Sequence, residues 1–567
     1  MGRQLSTRQV MMVSGFTLSI VAAALYWPFR ANPLVFDDLN IYHWPLSHYA
    51  TTPLGWGLRL PAYFSIAFVQ TVWGYTEVHR LLSLLLHVGV GLLLYAVLLR
   101  LLATSTAHTG VAKGHADSRQ HLTAAGVSAL FIVHPAAVYA SAYLIQRSIV
   151  LATFFSLLAL FFFLRGTWER RYTDAVSAAV FSSLAILSKE HAVLFPAVAL
   201  LTLILTRKEW RFSLRYGAIY AALCAPAALF VVALSKTHIF KPYELQFDSF
   251  TGQAVEQLST STPAYSWLDS TVTQAGLFFR YLATWLWPHV SAMSIDVRVD
   301  LFSGQPAVTG LLISGVFLIT GAVASAVLLL SARGVVRLAA FGLLYVWVQF
   351  LVDMSAVRLQ EPFVIYRSYL WAPGVAIIFV ALLQQIPVRA QAAAFVAVGS
   401  LLLIQAHDRL TTFSDPLLLW QDAAAKLPGR PILGDARIYS NLAREYLLAG
   451  RPNQAVNTIS RCTAQYPDYY HCVFARGAIH LFREDREEPQ LAREWLAHAV
   501  AIRPRSALAH HHLGFAYEKL ENREAAKAHY VESARLGFIG GDYRLQLMDS
   551  TTGVVTLYKS KPPMASD

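Results

Sequence analysis

Over residues 1–408 the chain alternates long apolar runs with short polar breaks, and beyond about residue 430 it changes to a finer, helical periodicity. Eleven runs read as membrane-spanning helices, at about 10–28, 80–103, 122–140, 144–165, 174–187, 191–206, 213–235, 305–331, 337–352, 368–386 and 390–407. A straight span needs about 20 apolar residues, so the runs at 174–187, 191–206 and 337–352 are the weakest of the set. Segments 60–73 and 276–288 are short and aromatic, which predicts helices lying on the membrane or dipping into it. The expected fold is all-α, a polytopic bundle of about eleven transmembrane helices followed by a separate helical array.

The later pattern is a repeat. Leu442-x-x-x-Tyr446 returns 71 residues on as Leu513-Gly514-x-x-Tyr517. Gly477 stands 37 residues before Gly514, and Pro467 and Pro504 are likewise 37 apart. Ala455 and Ala526 are small where paired helices would approach closely. This is the tetratricopeptide period of about 34 residues, lengthened by a few residues around Arg483 to Pro489. About three such units stack into a superhelix with a concave face suited to protein segments. The predicted organisation is a membrane domain over 1–408, a linker over 409–430, repeats over 431–540 and a tail over 541–567. Consecutive His510, His511 and His512 point in different directions on a helix, which argues against a metal site there.

Composition agrees with a membrane protein: 56% of the 567 residues are hydrophobic and 14% charged, against about 25% charged in soluble domains. Arg3 and Arg8, then Arg165, Arg170 and Arg171, then Arg207, Lys208, Arg211 and Arg215, then Arg333 and Arg337 fall in alternate breaks. Basic residues in short loops mark the cytoplasmic side. The N-terminus is therefore expected inside, and eleven spans put the loops at 29–79, 236–304 and 353–367 and the C-terminal repeats outside. The net charge of +12 is explained by this topology, and its scatter among membrane loops excludes a nucleic-acid stripe. No cleavable signal peptide is evident, because the first apolar run lacks an A-x-A-type site. Absence of an N-x-[ST] sequon favours a bacterial inner membrane. Cys224 falls in a span, while Cys462 and Cys472 fall in the outer repeats, where a disulfide persists once formed.

The candidate chemistry begins at Phe36-Asp37-Asp38, two acids just beyond the first span. Charge at that boundary is costly and tends to be functional. Several further segments resemble one family. These are His134-Pro135 with Tyr143-Leu144-Ile145-Gln146-Arg147-Ser148, Ser188-Lys189-Glu190, Trp287-Pro288 through Ser294-Ile295-Asp296, Tyr366-Arg367-Ser368-Tyr369-Leu370-Trp371-Ala372-Pro373, and Trp420-x-Asp422 with Asn441-Leu442. In order and architecture the chain resembles the transmembrane and tetratricopeptide repeat-containing O-mannosyltransferases and their bacterial relatives. That resemblance implies a GT-C membrane fold and transfer of a sugar from a polyprenyl-phosphate donor to a Ser or Thr hydroxyl of an exported protein, such as a pilin-like one, on the periplasmic side. It implies Asp37 and Asp38 as the catalytic pair, with Asp37 favoured as base. Tyr139 replaces an acid that follows His-Pro in most relatives, and Tyr366 one that precedes the late arginine, which bears on the identity of the sugar.

A hydroxyl nucleophile needs a carboxylate within reach, and a departing lipid phosphate needs fixed cations. Arg367, Arg147, Arg59 and Lys189 are the phosphate-binding candidates, and His79, His134, Tyr139, Glu190 and Tyr366 the substrate-lining ones. The loop at 236–275, with Tyr243, Tyr265 and Trp267, is long enough to cover a donor or guide an acceptor. The partners expected are the lipid-linked sugar, a protein acceptor held by the repeats and the bilayer. No bound cofactor is expected, and a divalent metal is compatible but not indicated. The readings left beside this one are a related enzyme acting on a lipid or glycan, and a membrane-anchored repeat scaffold without catalysis. Residues from about 430 onward are expected to be dispensable for transfer to short peptides.

Overall fold

The computed structural model describes residues 7–39, 41, 57–106, 118–206, 209–236, 239–240, 266–301, 308–359 and 361–549. Among these residues there is no β-strand. The membrane part consists of α1 (Thr7–Tyr26), α2 (Leu60–Val72), α3 (Thr76–Thr106), α4 (Ser118–Ile132), α5 (Pro135–Ser141), α6 (Arg147–Glu169), α7 (Tyr172–Ser188), α8 (Phe195–Thr206), α9 (Trp210–Ser235), α10 (Trp267–Leu286), α11 (Val308–Leu330), α12 (Gly334–Phe350), α13 (Ala372–Leu383) and α14 (Val388–Thr412). The C-terminal part consists of α15 (Pro416–Ala425), α16 (Asp435–Leu448), α17 (Pro452–Gln465), α18 (Tyr470–Phe482), α19 (Pro489–Ile502), α20 (Ala507–Lys519), α21 (Arg523–Arg535) and α22 (Ile539–Asp549).

Among the described residues seven helices are long and apolar enough to cross a membrane, and an eighth if α4 and α5, bent by 63°, form one span. The bend falls where Pro135 follows His134: a residue before proline avoids the helical region, and His134 is extended, with Nδ1 accepting the Ala136 N–H at 3.2 Å. Each of the eleven expected runs contains helix among its described residues, but α7, α8 and α13 are shorter than a straight span. The run at 337–352 is longer than expected, because a 3-10 turn at Leu351–Ser355 continues α12. The run at 368–386 is shorter, because residues Ile365–Leu370 coil as a 3-10 turn and α13 starts only at Ala372 with Pro373 in its first turn. Of the two segments expected to lie on or dip into the membrane, α2 ends one residue short of its expected bounds. The other begins nine residues early, as α10, where Ser266 and Asp269 form a reciprocal cap.

Helices pack pairwise, α6 along α7 and α12 along α13. A Cβ on Gly342 would come within 2.7 Å of the Gly374 carbonyl, so only glycine lets those two backbones meet. Beyond α15 the chain forms three antiparallel hairpins, α16/α17, α18/α19 and α20/α21, with α22 packed on the last. Small residues lie at their crossings: Ala455 and Ala526 are fully buried, and a Cβ on Gly477 would strike Leu496. Cys462 and Cys472 are joined in a disulfide, and Cys224 is buried and free.

The segment read as a linker over 409–430 is largely helical. It holds the end of α14 and all of α15, whose Leu417, Leu419, Trp420 and Ala423 belong to the same apolar core as the bundle. Ile438 and Leu442 of α16 extend that core. Apolar faces on both sides of residue 430 bury each other, so no solvated joint separates bundle from array. At the far end α22 carries helix past residue 540 into the segment read as a tail.

Candidate functional site

The breaks at one end of the bundle fold over each other. Phe36–Leu39 is a 3-10 turn lying beside the turn at Leu144–Gln146. The Asp37 backbone N–H donates to the Tyr143 hydroxyl at 3.2 Å, and Oδ1 of Asp38 accepts the Ile145 N–H at 2.8 Å. Asp38 is fully buried, and its Oδ2 has no hydrogen-bond partner among the described residues. Burial pushes its carboxyl up to about 7, although Arg80 and the backbone N–H of Ile145 pull the other way. Arg80 is spent on main chain, donating to the carbonyls of Asn32, Ala142 and Pro33 at 3.0, 2.8 and 2.6 Å. Asp37 is half-buried on the same turn.

Phe36, just before the pair, has φ +49°, and Arg59 has φ +64°. Left-handed backbone is uncommon for such residues and concentrates at functional sites.

Next to the carboxylates lies a knot of charge drawn from three breaks. Arg59 grips Glu190 with both ends of its guanidinium, at 3.0 and 2.6 Å. Lys189, buried, is 4.0 Å from the same carboxylate and sits over the Tyr366 ring at 5.9 Å. Burial first, then the positive charge of Arg59, pushes the Lys189 ammonium down to about 7. His191 lies 3.4 Å from Glu190 and 3.6 Å from Asp353. Asp353 is shared by Arg367 at 3.6 Å and Arg358 at 3.9 Å. Arg367 donates to the Glu361 carbonyl at 3.0 Å and lies 3.7 Å from its carboxylate. The rings of Tyr143 and Tyr366, 6.3 Å apart, join this knot to the Asp37–Asp38 turn.

The sequence-derived candidates divide accordingly. Asp37, Asp38, Arg59, Lys189, Glu190, Tyr366 and Arg367 come together. Arg147 is fully buried and committed elsewhere: it donates to Ser83 at 3.2 Å, to the Ser65 carbonyl at 3.3 Å and to the His79 carbonyl at 2.9 Å. His79 bridges Arg147 and Gln70 at 3.2 and 3.1 Å. His134 caps α5 and stacks on Trp285 with ring centroids 4.3 Å apart, and Tyr139 packs edge-on against Phe413. These four shape the helix ends behind the knot. Of the aromatic residues expected to cover the site, Tyr243 and Tyr265 lie outside the described residues, and Trp267 opens α10. In the array, His510 faces His529 while His512 bonds the Leu508 carbonyl, so the three adjacent histidines do not converge. Among the described residues no group of three or more potential metal ligands is gathered.

Sequence reasoning missed Asp353, Arg358, Glu361 and Arg437. A signal existed for the first three, since all fall in the break at 353–367 already placed on the outer side. Arg437 belongs to α16, yet its Nε donates to Asp296 Oδ2 at 2.8 Å, its other nitrogen lies 3.3 Å from Glu361 Oε1, and its guanidinium covers the Phe36 ring at 5.2 Å. Asp296 is also paired with Arg298. Burial alone would raise the Asp296 and Glu361 carboxyls. For Asp296 the charges of Arg298 and Arg437, and for Glu361 those of Arg437 and Arg367, outweigh burial and hold both below the usual carboxylate range.

A cavity of about 200 Å³ opens between the ends of α1, α3 and α5. Its walls are mainly apolar, with Tyr26, Trp27, Phe29, Leu81 and Leu84, and Arg30, Asn32, Glu77 and Arg80 supply the polar lining. The arrangement as a whole offers a carboxylate pair, clustered cations and an apolar recess at the ends of membrane helices. No protein-family model matches the chain, and no curated protein matches it.

Proposed function

We propose that this protein is a membrane glycosyltransferase that moves a sugar from a polyprenyl-phosphate-linked donor to a Ser or Thr hydroxyl of an exported protein. The observation that carries the reading is the buried Asp38, with one oxygen unpartnered among the described residues, on the same turn as the half-buried Asp37, which the Tyr143 and Tyr366 rings join to the knot holding Lys189, Arg358 and Arg367. In the reaction the acceptor oxygen bonds to the anomeric carbon, and its proton passes to Asp37. The bond from that carbon to the phosphate oxygen breaks, and the electron pair leaves with the polyprenyl phosphate. Charge grows on the phosphate as it leaves, and cations already fixed in place stabilise that state without rearrangement. Arg367 and Lys189 are the first such groups, with Arg59 acting through Glu190. The apolar cavity beside Arg80 suits the first isoprene units of the lipid.

The hairpins α16 to α21 read as about three tetratricopeptide units whose concave face holds the protein acceptor. The Cys462–Cys472 disulfide suits an oxidising compartment, in accord with a bacterial inner-membrane enzyme whose N-terminus is cytoplasmic and whose repeats are periplasmic.

The test is mass spectrometry of exported proteins from cells with and without the gene, followed by reconstitution with a synthetic polyprenyl-phosphate sugar. A hexose or pentose on Ser or Thr that disappears with the gene and with Asp37→Asn supports the reading. Identical glycan profiles in both strains, with no turnover of any lipid donor, would refute it.

A further inference from the structure

The carboxylate turn is held from an unexpected direction. Phe36 adopts a left-handed backbone at φ +49°, which a residue with a large side chain keeps only where its surroundings over-determine it. Those surroundings come from beyond the bundle. Trp420 of α15, fully buried, meets the Phe36 ring edge-to-face at 5.2 Å and 89°. Arg437 of α16 covers the ring at 5.2 Å. The same guanidinium ties Asp296 at 2.8 Å and Glu361 at 3.3 Å, and Glu361 in turn holds Arg367. The approach is tight: Gly434, with φ +85°, caps α16, and a Cβ there would run into the Arg298 guanidinium. Lys426 and Arg409 both donate to the Met293 carbonyl and so hold the start of the 293–298 loop.

We infer that Arg437 is a positioning residue of the candidate site, and that the site is incomplete without the first helix of the C-terminal array. This rests on the glycosyltransferase reading for its kinetic consequence but not for its structural one. One side chain links the turn bearing Asp37 and Asp38 to the loop bearing Glu361 and Arg367. The array therefore acts on the chemistry directly, besides any role in holding an acceptor. A guanidinium suits this: its planar fork reaches two carboxylates at once while its face covers a ring, and an ammonium cannot do all three.

The experiment compares full-length wild type, Arg437→Ala and Arg437→Lys in nanodiscs, with Arg505→Ala on the exposed surface of the array as control. Hydrogen exchange is read in peptides covering 34–39 and 361–367, with α6 as internal reference. Turnover and donor KM are measured on the same samples. Arg437→Ala is expected to exchange about tenfold faster in both peptides with α6 unchanged, and to lose about 10²-fold in kcat with a smaller change in donor KM. Arg437→Lys should recover part of the kcat, and Arg505→Ala should match wild type. If the alanine variant does not fold, the lysine variant decides, since it keeps the charge and loses the fork. Wild-type exchange and kcat in the variant that folds overturn the inference and leave the glycosyltransferase reading standing. Faster exchange at 34–39 in a protein that turns over no donor sustains the positioning role and overturns that reading instead.

Discussion

Arg59 closes on Glu190 through two parallel hydrogen bonds, Nε to Oε2 at 3.0 Å and Nη2 to Oε1 at 2.6 Å, across 131 residues of chain. Each had been a separate sequence candidate, one for phosphate and one for substrate. Paired, they form a strut between α2 and the turn before α8, in a half-exposed to buried setting. A double-mutant cycle with Arg59→Ala and Glu190→Ala should show a coupling of about 1–3 kcal/mol, the range for residues in one hydrogen-bonded network. Thermal inactivation of the detergent-solubilised protein measures it. Additive single effects would mean that the two groups act independently.

The carboxylate pair should separate activity from stability. Asp37→Asn is expected to lower transfer about 10²-fold or more, as removal of a general base does. Asp38 has its carboxyl raised to about 7 by burial. A folded-state value above the unfolded one means that the folded protein binds the extra proton, so its stability falls as pH rises from about 4 to 7, by about 1.4 kcal/mol per unit at most. Asp38→Asn removes that penalty. It should be more heat-resistant than wild type at pH 8 and no better at pH 4, while losing activity. A melting difference that does not change with pH would refute the burial argument.

Lys189 sits near half-protonation at neutral pH, its ammonium lowered to about 7 by burial and by Arg59. Only the charged form attracts phosphate, so donor affinity should fall as pH rises through about 7. Lys189→Arg, charged throughout, should flatten that limb, while Lys189→Met should lower affinity at pH 6 and converge with wild type by pH 9. Titration with polyprenyl phosphate between pH 6 and 9 reads this directly.

Arg367 donates to the Glu361 carbonyl and lies beside Asp353, so its guanidinium is held in place before any donor arrives. Arg367→Lys should weaken turnover and Arg367→Ala should weaken it further, because the planar fork is lost first and the charge second. Equal turnover in all three proteins would assign the 365–370 turn to packing alone.

Removal of the array should do more than weaken acceptor capture. Truncation after residue 430 takes away Arg437, Ile438 and Leu442, the last two of which lie in the bundle's own core. Transfer even to a short peptide at high concentration should therefore collapse, contrary to what a hinged two-domain reading of the sequence expects. Gly434→Ala is the gentler version: the added methyl displaces Arg298 and with it Asp296. Its peptide-transfer rate should fall about tenfold or more, the scale of loss when a supporting group shifts by a fraction of an ångström to an ångström. Survival of peptide transfer in the truncated protein would show that bundle and array work separately.

Much of the architecture was legible along the chain because apolarity and periodicity are local properties. Runs of Leu, Val, Ala and Phe mark the helices of the bundle wherever they fold, and the glycines and alanines spaced at the repeat period mark the hairpin crossings. The Phe36-Asp37-Asp38 turn, the Ser188-Lys189-Glu190 break and the 366–373 segment were visible for the same reason, as charge at the ends of apolar runs. The length of a helix was less legible: whether α12 continues or α13 starts late depends on 3-10 turns shaped by neighbouring loops.

What tertiary structure alone decided is which charge meets which. Arg147 and Arg367 look alike in sequence, each at the outer end of a helix, yet one is consumed by Ser83 and the carbonyls of Ser65 and His79 while the other stands in the knot beside Lys189. Arg437 carried no signal in the sequence, and it pairs with Asp296 141 residues away. A buried ion needs either an opposite charge or hydrogen-bond partners that replace water, and chain closure over long separations selects which it meets. The amino-acid order alone pointed to an all-helical chain with apolar helices long enough to cross a membrane, followed by further helices. Only the folded chain brought the first helix of that array against the carboxylate turn, because the apolar faces on either side of residue 430 are buried against each other.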